Sequence, residues 1–241
     1  MKYEEKAYEE LAKWQMKLRK RSGFFARLSK KAQNKMNSYI PQKVQQTMTG
    51  AVKMMVKTVL TGSNLLSKNH FPPAYTLEEK EKLLAEQLEK YRKAASVEGA
   101  GTGAGGILLG LADFPLLLSI KIKFLADVAK IHGYDLKNYD ERLFLLMVFQ
   151  LAFSSNDKKY EVLKMVENWD EYKKKLEDID WDSFQQEYRD YIDLAKMFQL
   201  LPGVGAAVGA YANYKLLDTL GETAKFAYRI RYFQNLRNIR E

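Results

Sequence analysis

Apolar residues along this chain recur in steps of three and four. Ala7, Leu11, Trp14 and Leu18 form one such series; Phe25, Leu28, Ala32 and Met36 form a second; Val44, Met48, Val52, Met55 and Val59 form a third. That spacing places each set on one face of a helix. Pro41 and Gly62 punctuate the series, and Pro72 and Pro73 mark a loop over residues 62–74. Thr76 and Glu79 have the spacing of a capping box for a charged helix running to about Val97. Asn138 and Glu141 offer a similar start for a helix through Leu143, Leu146 and Met147, and further amphipathic helices are expected over 157–177 and 183–200. No stretch combines period-two alternation with hairpin turn residues. The expected fold class is all-α, with a helical arm and Pro-rich hinge over residues 1–74 and a helical body over 75–241.

Composition narrows the chemistry. The 241 residues include no Cys and two His, so thiolate metal sites and a Cys nucleophile are excluded and a His-based constellation is disfavoured. Met1 is followed by Lys2, Glu4 and Glu5, without the apolar core of a secretory signal. The formal net charge is +9, and it is unevenly spread. From Leu11 to Thr76 there is no Asp or Glu against 13 Lys and Arg, the stretch Asp135–Asp193 is acidic, and the C-terminal end is basic again through Lys225, Arg229, Arg231, Arg237 and Arg240. Such asymmetry points to an anionic partner for the two ends.

On a helical wheel, Lys13, Lys17, Lys20, Arg27, Lys31 and Lys35 form a stripe displaced by roughly 200° from Leu11, Trp14, Leu18, Phe25 and Leu28. A basic face opposite Trp, Phe and Leu is the composition of a helix lying in a lipid interface. Lys13, Trp14, Lys17, Lys20, Phe25, Arg27 and Lys31 are therefore the candidate membrane-surface residues. The alternative is that the apolar stripe packs on the body and the charges are merely solvated. Tyr228, Arg229, Arg231 and Tyr232 interleave aromatics with bases, as a nucleic-acid surface would. No helix-turn-helix, zinc or RNP signature accompanies them, so nucleic acid is the weaker partner.

Two segments are rich in glycine, Gly99–Gly110 and Gly203–Gly209. Gly101 with Gly105, Gly106 with Gly110, and Gly205 with Gly209 have the small-xxx-small spacing that lets helix backbones approach closely, and two helical hairpins are expected there. Neither segment has the roughly 20 strongly apolar residues of a spanning helix. A buried hairpin or a shallow insertion suits them better. Residues 101–106 also match G-x-G-x-x-G, but the dinucleotide motif needs a preceding strand, and a Lys- and Glu-rich helix is expected instead. No cofactor is implied. Asp113 is a lone carboxylate in an apolar stretch, and it has two readings. With Pro115 it can start a helix that ends at His132-Gly133, as an N-cap and a first-turn proline, with the His132 imidazolium at the negative end of the helix dipole. Otherwise it marks a site that handles a lipid-like ligand.

The run Gly105, Leu111-Ala112-Asp113-Phe114-Pro115, His132-Gly133-Tyr134-Asp135, then Leu201-Pro202-Gly203-Val204-Gly205 and Gly209, resembles the EcsC family. The acid-free N-terminal segment with Trp14 and the closing Ala224-Lys225-Phe226 helix resemble its Firmicutes members, so the resemblance covers nearly the whole chain. In those bacteria, family members are encoded beside the ATPase and membrane subunits of the Ecs-type ABC transporter. The resemblance implies this context without an established activity, and it carries over no catalytic residues. The expectation is a non-enzymatic accessory or regulatory protein, peripheral on the inner face of the cell membrane, with an anionic membrane surface and ABC transporter subunits as partners. The rival expectations are a carrier or enzyme for a lipid-like ligand near Asp113, and nucleic-acid binding through the basic arm.

Overall fold

The computed structural model describes residues 2–20, 42–62, 71, 76–103, 114–155, 158–177 and 206–238, the side chains of 96–103, 177 and 206–213 excepted. These residues form eight helices and no β-strand, so the protein is all-α. In chain order they are α1 (Tyr3–Lys20), α2 (Gln42–Thr61), α3 (Leu77–Gly103), α4 (Phe114–Ile131), α5 (Tyr139–Phe153), α6 (Lys159–Glu167), α7 (Trp169–Glu177) and α8 (Ala206–Asn238).

The centre of the fold is α5. From Leu143 to Phe153 every residue is buried, which accounts for its apolar run without a polar face. Around it, α4 and α8 lie on α5, α3 packs along α8 and against α4, and α2 covers α4 and α5. Residues of α1 and α2 belong to the same hydrophobic core as those of α4, α5 and α8. The N-terminal helices are thus part of the body's core, although the sequence sets 1–74 apart.

Local signals explain most of the boundaries. The Thr76 hydroxyl accepts from the Glu79 N–H at 3.2 Å, while the Glu79 carboxylate accepts from the Thr76 N–H at 3.0 Å, closing the expected capping box of α3. That helix continues beyond Val97 to Gly103, so the first glycines lie on helical backbone. α4 begins directly after Asp113 with Pro115 in its first turn, and it ends in a Schellman motif. There Gly133 has φ +87°, its N–H donates to Lys130 O at 2.9 Å, and the Tyr134 N–H donates to Ala129 O at 3.0 Å.

Three expectations are corrected. Asn138 makes no side-chain cap; its N–H donates to Asp135 O at 3.0 Å, and Glu141 is held by Arg231 instead of reaching back to it. The helix expected over 157–177 divides at Asn168, whose φ and ψ of −113° and 42° interrupt it. His132 is not an imidazolium at a helix end. Burial drives its pKa down to about 4, and its Nδ1 lies 2.9 Å from Val128 O, so the ring is neutral and donates there. The segment 183–200 and, of the two expected glycine hairpins, residues 104–110 and 203–205 lie outside the described residues.

Candidate functional site

The lysine stripe of α1 survives as a surface. Lys13, Lys17 and Lys20 are exposed, and among the described residues none of them makes an ion pair. Lys6 extends the stripe by two turns toward the N-terminus, at the same helical phase and also exposed. Periodicity alone could have included it, since Lys6, Lys13, Lys17 and Lys20 fall within about 60° of one another at 100° per residue.

Trp14 is a correction. It is 8% exposed and stacks on Phe226 of α8, with ring centroids 4.7 Å apart and planes 19° apart. Ala7, Leu11 and Leu18 are buried beside it on the same face. Each large apolar side chain buried this way contributes about 1.5–3 kcal/mol, so lifting the face into lipid would forfeit as much as insertion returned. The apolar stripe is therefore spent on the body, as the alternative reading of the helix has it. Phe25, Arg27 and Lys31 lie outside the described residues.

An ion-pair node fixes the position of α1. Arg229, on α8, donates Nε to Glu81 Oε1 at 2.5 Å and Nη2 to Glu81 Oε2 at 2.6 Å. Its Nη1 donates to Glu10 Oε2 at 2.9 Å and to Ala7 O at 3.1 Å. The Tyr3 hydroxyl completes the node by donating to Glu81 Oε2 at 2.7 Å. One guanidinium thus joins α1, α3 and α8. Burial opposes the charge on Arg229, but the hydrogen bonds to Glu81 and Glu10 outweigh it and raise its pKa. The same bond to Arg229 lowers the Glu10 pKa against a smaller opposing effect of burial. Burial, and then the bond to Glu81, push the Tyr3 phenol up to about 12. Two turns further along α1, Gln15 and Arg19 both donate to Glu167 Oε1, at 2.7 and 2.9 Å, tying the helix to α6.

A second node removes another expected surface. Arg231 forms a two-bond pair with Glu141, at 2.5 and 2.8 Å, and its guanidinium lies 3.7 Å from the Tyr134 ring centroid and 4.5 Å from that of Phe144. Tyr228 is 1% exposed and stacks on His132 at 4.6 Å. Tyr228, Arg229 and Arg231 accordingly face inward, and the interleaved bases and aromatics of α8 do not form a nucleic-acid platform. An alternation of charge and aromatics in sequence does not distinguish an exposed stripe from an internal network.

Further polar chemistry lies inside α4. Asp127 is fully buried and its Oδ2 accepts from the Tyr91 hydroxyl at 2.9 Å, while Lys121 is 1% exposed and donates to Leu117 O at 3.2 Å. Burial, followed by the Asp127 charge, raises the Tyr91 pKa. Along the α3–α8 seam runs a groove of about 540 Å³, with Glu81, Leu84 and Leu88 on one wall and Gly221 and Lys225 on the other. Two of its carboxylates are matched by bases: Glu81 is held by Arg229 and Asp218 by Arg92.

The remaining candidates are placed as follows. Gly101 is on the last turn of α3, Gly209 is on the first turn of α8, and Pro115 is exposed in the first turn of α4. Gly105, Gly106, Gly110, Asp113 and Gly205 lie outside the described residues. Among the described residues, a close helix approach occurs at a glycine that the spacing did not single out. A Cβ on Gly221 would lie 2.6 Å from Leu88 Cδ2 and 3.3 Å from its Cγ, so α3 and α8 meet there because position 221 has no side chain.

Among the described residues no group of three or more His, Asp and Glu is placed to hold a metal ion, and no helix is long and apolar enough to cross a membrane. The class so defined is an all-helical protein with an apolar central helix, internal arginine–carboxylate nodes and a lysine-lined outer face. The chain belongs to the EcsC protein family, whose model matches residues 5–233. It is 50% identical to Protein EcsC of Bacillus subtilis strain 168 over 223 residues, covering 92% of this chain and 93% of that one. It is also 35% identical to the uncharacterized protein YdbA of the same organism over 153 residues, 61% of this chain and 56% of that protein. No solved structure matches.

Proposed function

We propose that this EcsC-family protein is a non-enzymatic accessory or regulatory protein that docks on the inner, anionic face of the cell membrane and works beside an ABC transporter. The observation that carries the docking is the α1 stripe of Lys6, Lys13, Lys17 and Lys20, exposed and without ion pairs among the described residues. The family resemblance, through members encoded beside Ecs transporter subunits, supports the transporter half. Because Trp14 and Leu18 are buried, docking by α1 is electrostatic. At about 1 kcal/mol per lysine near an anionic surface, four lysines contribute on the order of 4 kcal/mol, enough for reversible, salt-sensitive attachment.

The test is co-sedimentation of the full chain with vesicles of phosphatidylcholine, with and without phosphatidylglycerol, across a salt series. Binding that requires the anionic lipid, falls with salt and weakens when Lys13, Lys17 and Lys20 become Gln is the expected result. Equal binding to neutral vesicles, or none to either, overturns it. For the transporter half, membrane fractionation is compared in cells with and without the transporter subunits. A distribution that shifts toward the cytosol when the subunits are deleted is expected, and an unchanged one removes them as partners.

A further inference from the structure

α2 turns outward a surface of its own. Val44, Met48, Val52 and Val59 are buried on one side, where the helix packs on α4 and α5. Lys43, Lys53, Met54 and Lys57 are exposed on the opposite arc. α2 contains no Asp or Glu, and among the described residues none of the three lysines makes an ion pair. Met54 stands at one edge of this arc, next to Lys43 in helical phase, at 66% exposed, the highest value of any large hydrophobic side chain among the described residues. From Lys43 to Lys57 the arc extends about 21 Å at 1.5 Å per residue, a length suited to lying flat on a surface.

We infer that this arc of α2 is a second lipid contact, with Lys43, Lys53 and Lys57 at anionic headgroups and Met54 entering the boundary with the acyl chains. Three cations without an acid complement a negative plane, and their flexible stems let the ammonium groups stay at the headgroups while a neighbouring apolar side chain goes deeper. The arc presents neither an Arg fork nor an aromatic platform, the two devices by which proteins hold phosphate geometry or stack bases, so lipid fits better than nucleic acid. Met54, at 66% exposed, stands further out of its surface than Met16 of α1, at 50%. The inference rests on the membrane-surface reading of the protein and adds the element that enters the lipid.

The chain has no Cys, so Met54→Cys supplies a unique attachment point for a polarity-sensitive fluorophore. Met16→Cys, at a half-exposed position on α1, is the comparison. With phosphatidylcholine–phosphatidylglycerol vesicles the probe at 54 is expected to shift to the blue, the probe at 16 to shift less, and neither to respond to phosphatidylcholine alone. Changing Lys43, Lys53 and Lys57 together to Gln is expected to lower partitioning on the order of a hundredfold, about fivefold per lysine, with an unchanged unfolding transition. If the protein sediments with anionic vesicles but the probe at 54 does not shift, the α2 contact is overturned and docking through α1 stands. If the protein does not sediment, both are overturned. An equal shift at 54 with duplex DNA or RNA in place of vesicles makes the arc a general polyanion surface and overturns the lipid assignment.

Discussion

Arg229 and Glu81 face each other through two parallel hydrogen bonds of 2.5 and 2.6 Å, with 3% and 7% of their side chains exposed. They lie 148 positions apart in the chain and join its last helix to α3. A buried pair of this kind contributes little net stability when intact, but loss of one partner strands a charge. Arg229→Met is expected to lower unfolding free energy by about 3–5 kcal/mol, since it leaves Glu81 uncompensated. The double change Arg229→Met, Glu81→Leu should recover much of that loss. Urea denaturation of the three proteins is the measurement, and an additive double mutant would show that the two residues are not coupled.

His132 makes stability fall on acidification. Its pKa is about 4 in the folded protein, and burial is the main cause. The unfolded chain takes up the proton near pH 6.5, so above that pH neither state is protonated and the group contributes no pH dependence. Between 6.5 and 4 the unfolded state binds more protons, and stability declines by as much as about 1.4 kcal/mol per pH unit, on the order of 3 kcal/mol in all. His132→Phe keeps an aromatic ring against Tyr228 and should flatten this part of the curve. Denaturation midpoints from pH 7.5 to 4 check it, and an equally steep decline in the variant removes His132 as the cause.

The seam at Gly221 should resist added volume. Gly221→Leu is expected to cost about 1–3 kcal/mol, because its side chain would occupy the space that Leu88 fills. Gly221→Ala should cost less, since a gain in helix propensity of about 1 kcal/mol offsets part of the displacement of Leu88. Thermal melts followed by circular dichroism measure both, and an unchanged Tm in the Leu variant would show that α3 and α8 are not in close contact there.

Two capping positions that look alike in sequence should behave differently. Thr76→Ala is expected to cost about 1 kcal/mol, because the hydroxyl accepts the Glu79 N–H. Asn138→Ala should stay within about 0.5 kcal/mol, because no side-chain cap is made at that position. Equal losses at both positions would contradict the assignment.

Features governed by nearby residues were legible in the sequence. Helical periodicity identified the buried faces of α1 and α2, Thr76 and Glu79 gave the start of α3, and His132-Gly133 gave the end of α4. Each depends on groups no more than a few positions apart, where helix geometry fixes the distances. The lysine stripe was legible for the same reason.

What covers a face was not a local matter. Leu11, Trp14 and Leu18 make the same pattern against lipid as against Phe226, and only the fold assigns them to the core. Likewise Arg229 and Arg231 read as surface cations until Glu81, Glu10 and Glu141 are brought to them from positions 90 to 219 residues away. The physical reason is that hydrophobic burial is non-directional and ion pairs form across any sequence separation. The sequence by itself determined an all-α chain and which face of each regular helix is apolar. Only the tertiary structure decided which of those faces and charges are spent inside the protein, and it left the lysines of α1 and the outer arc of α2 exposed.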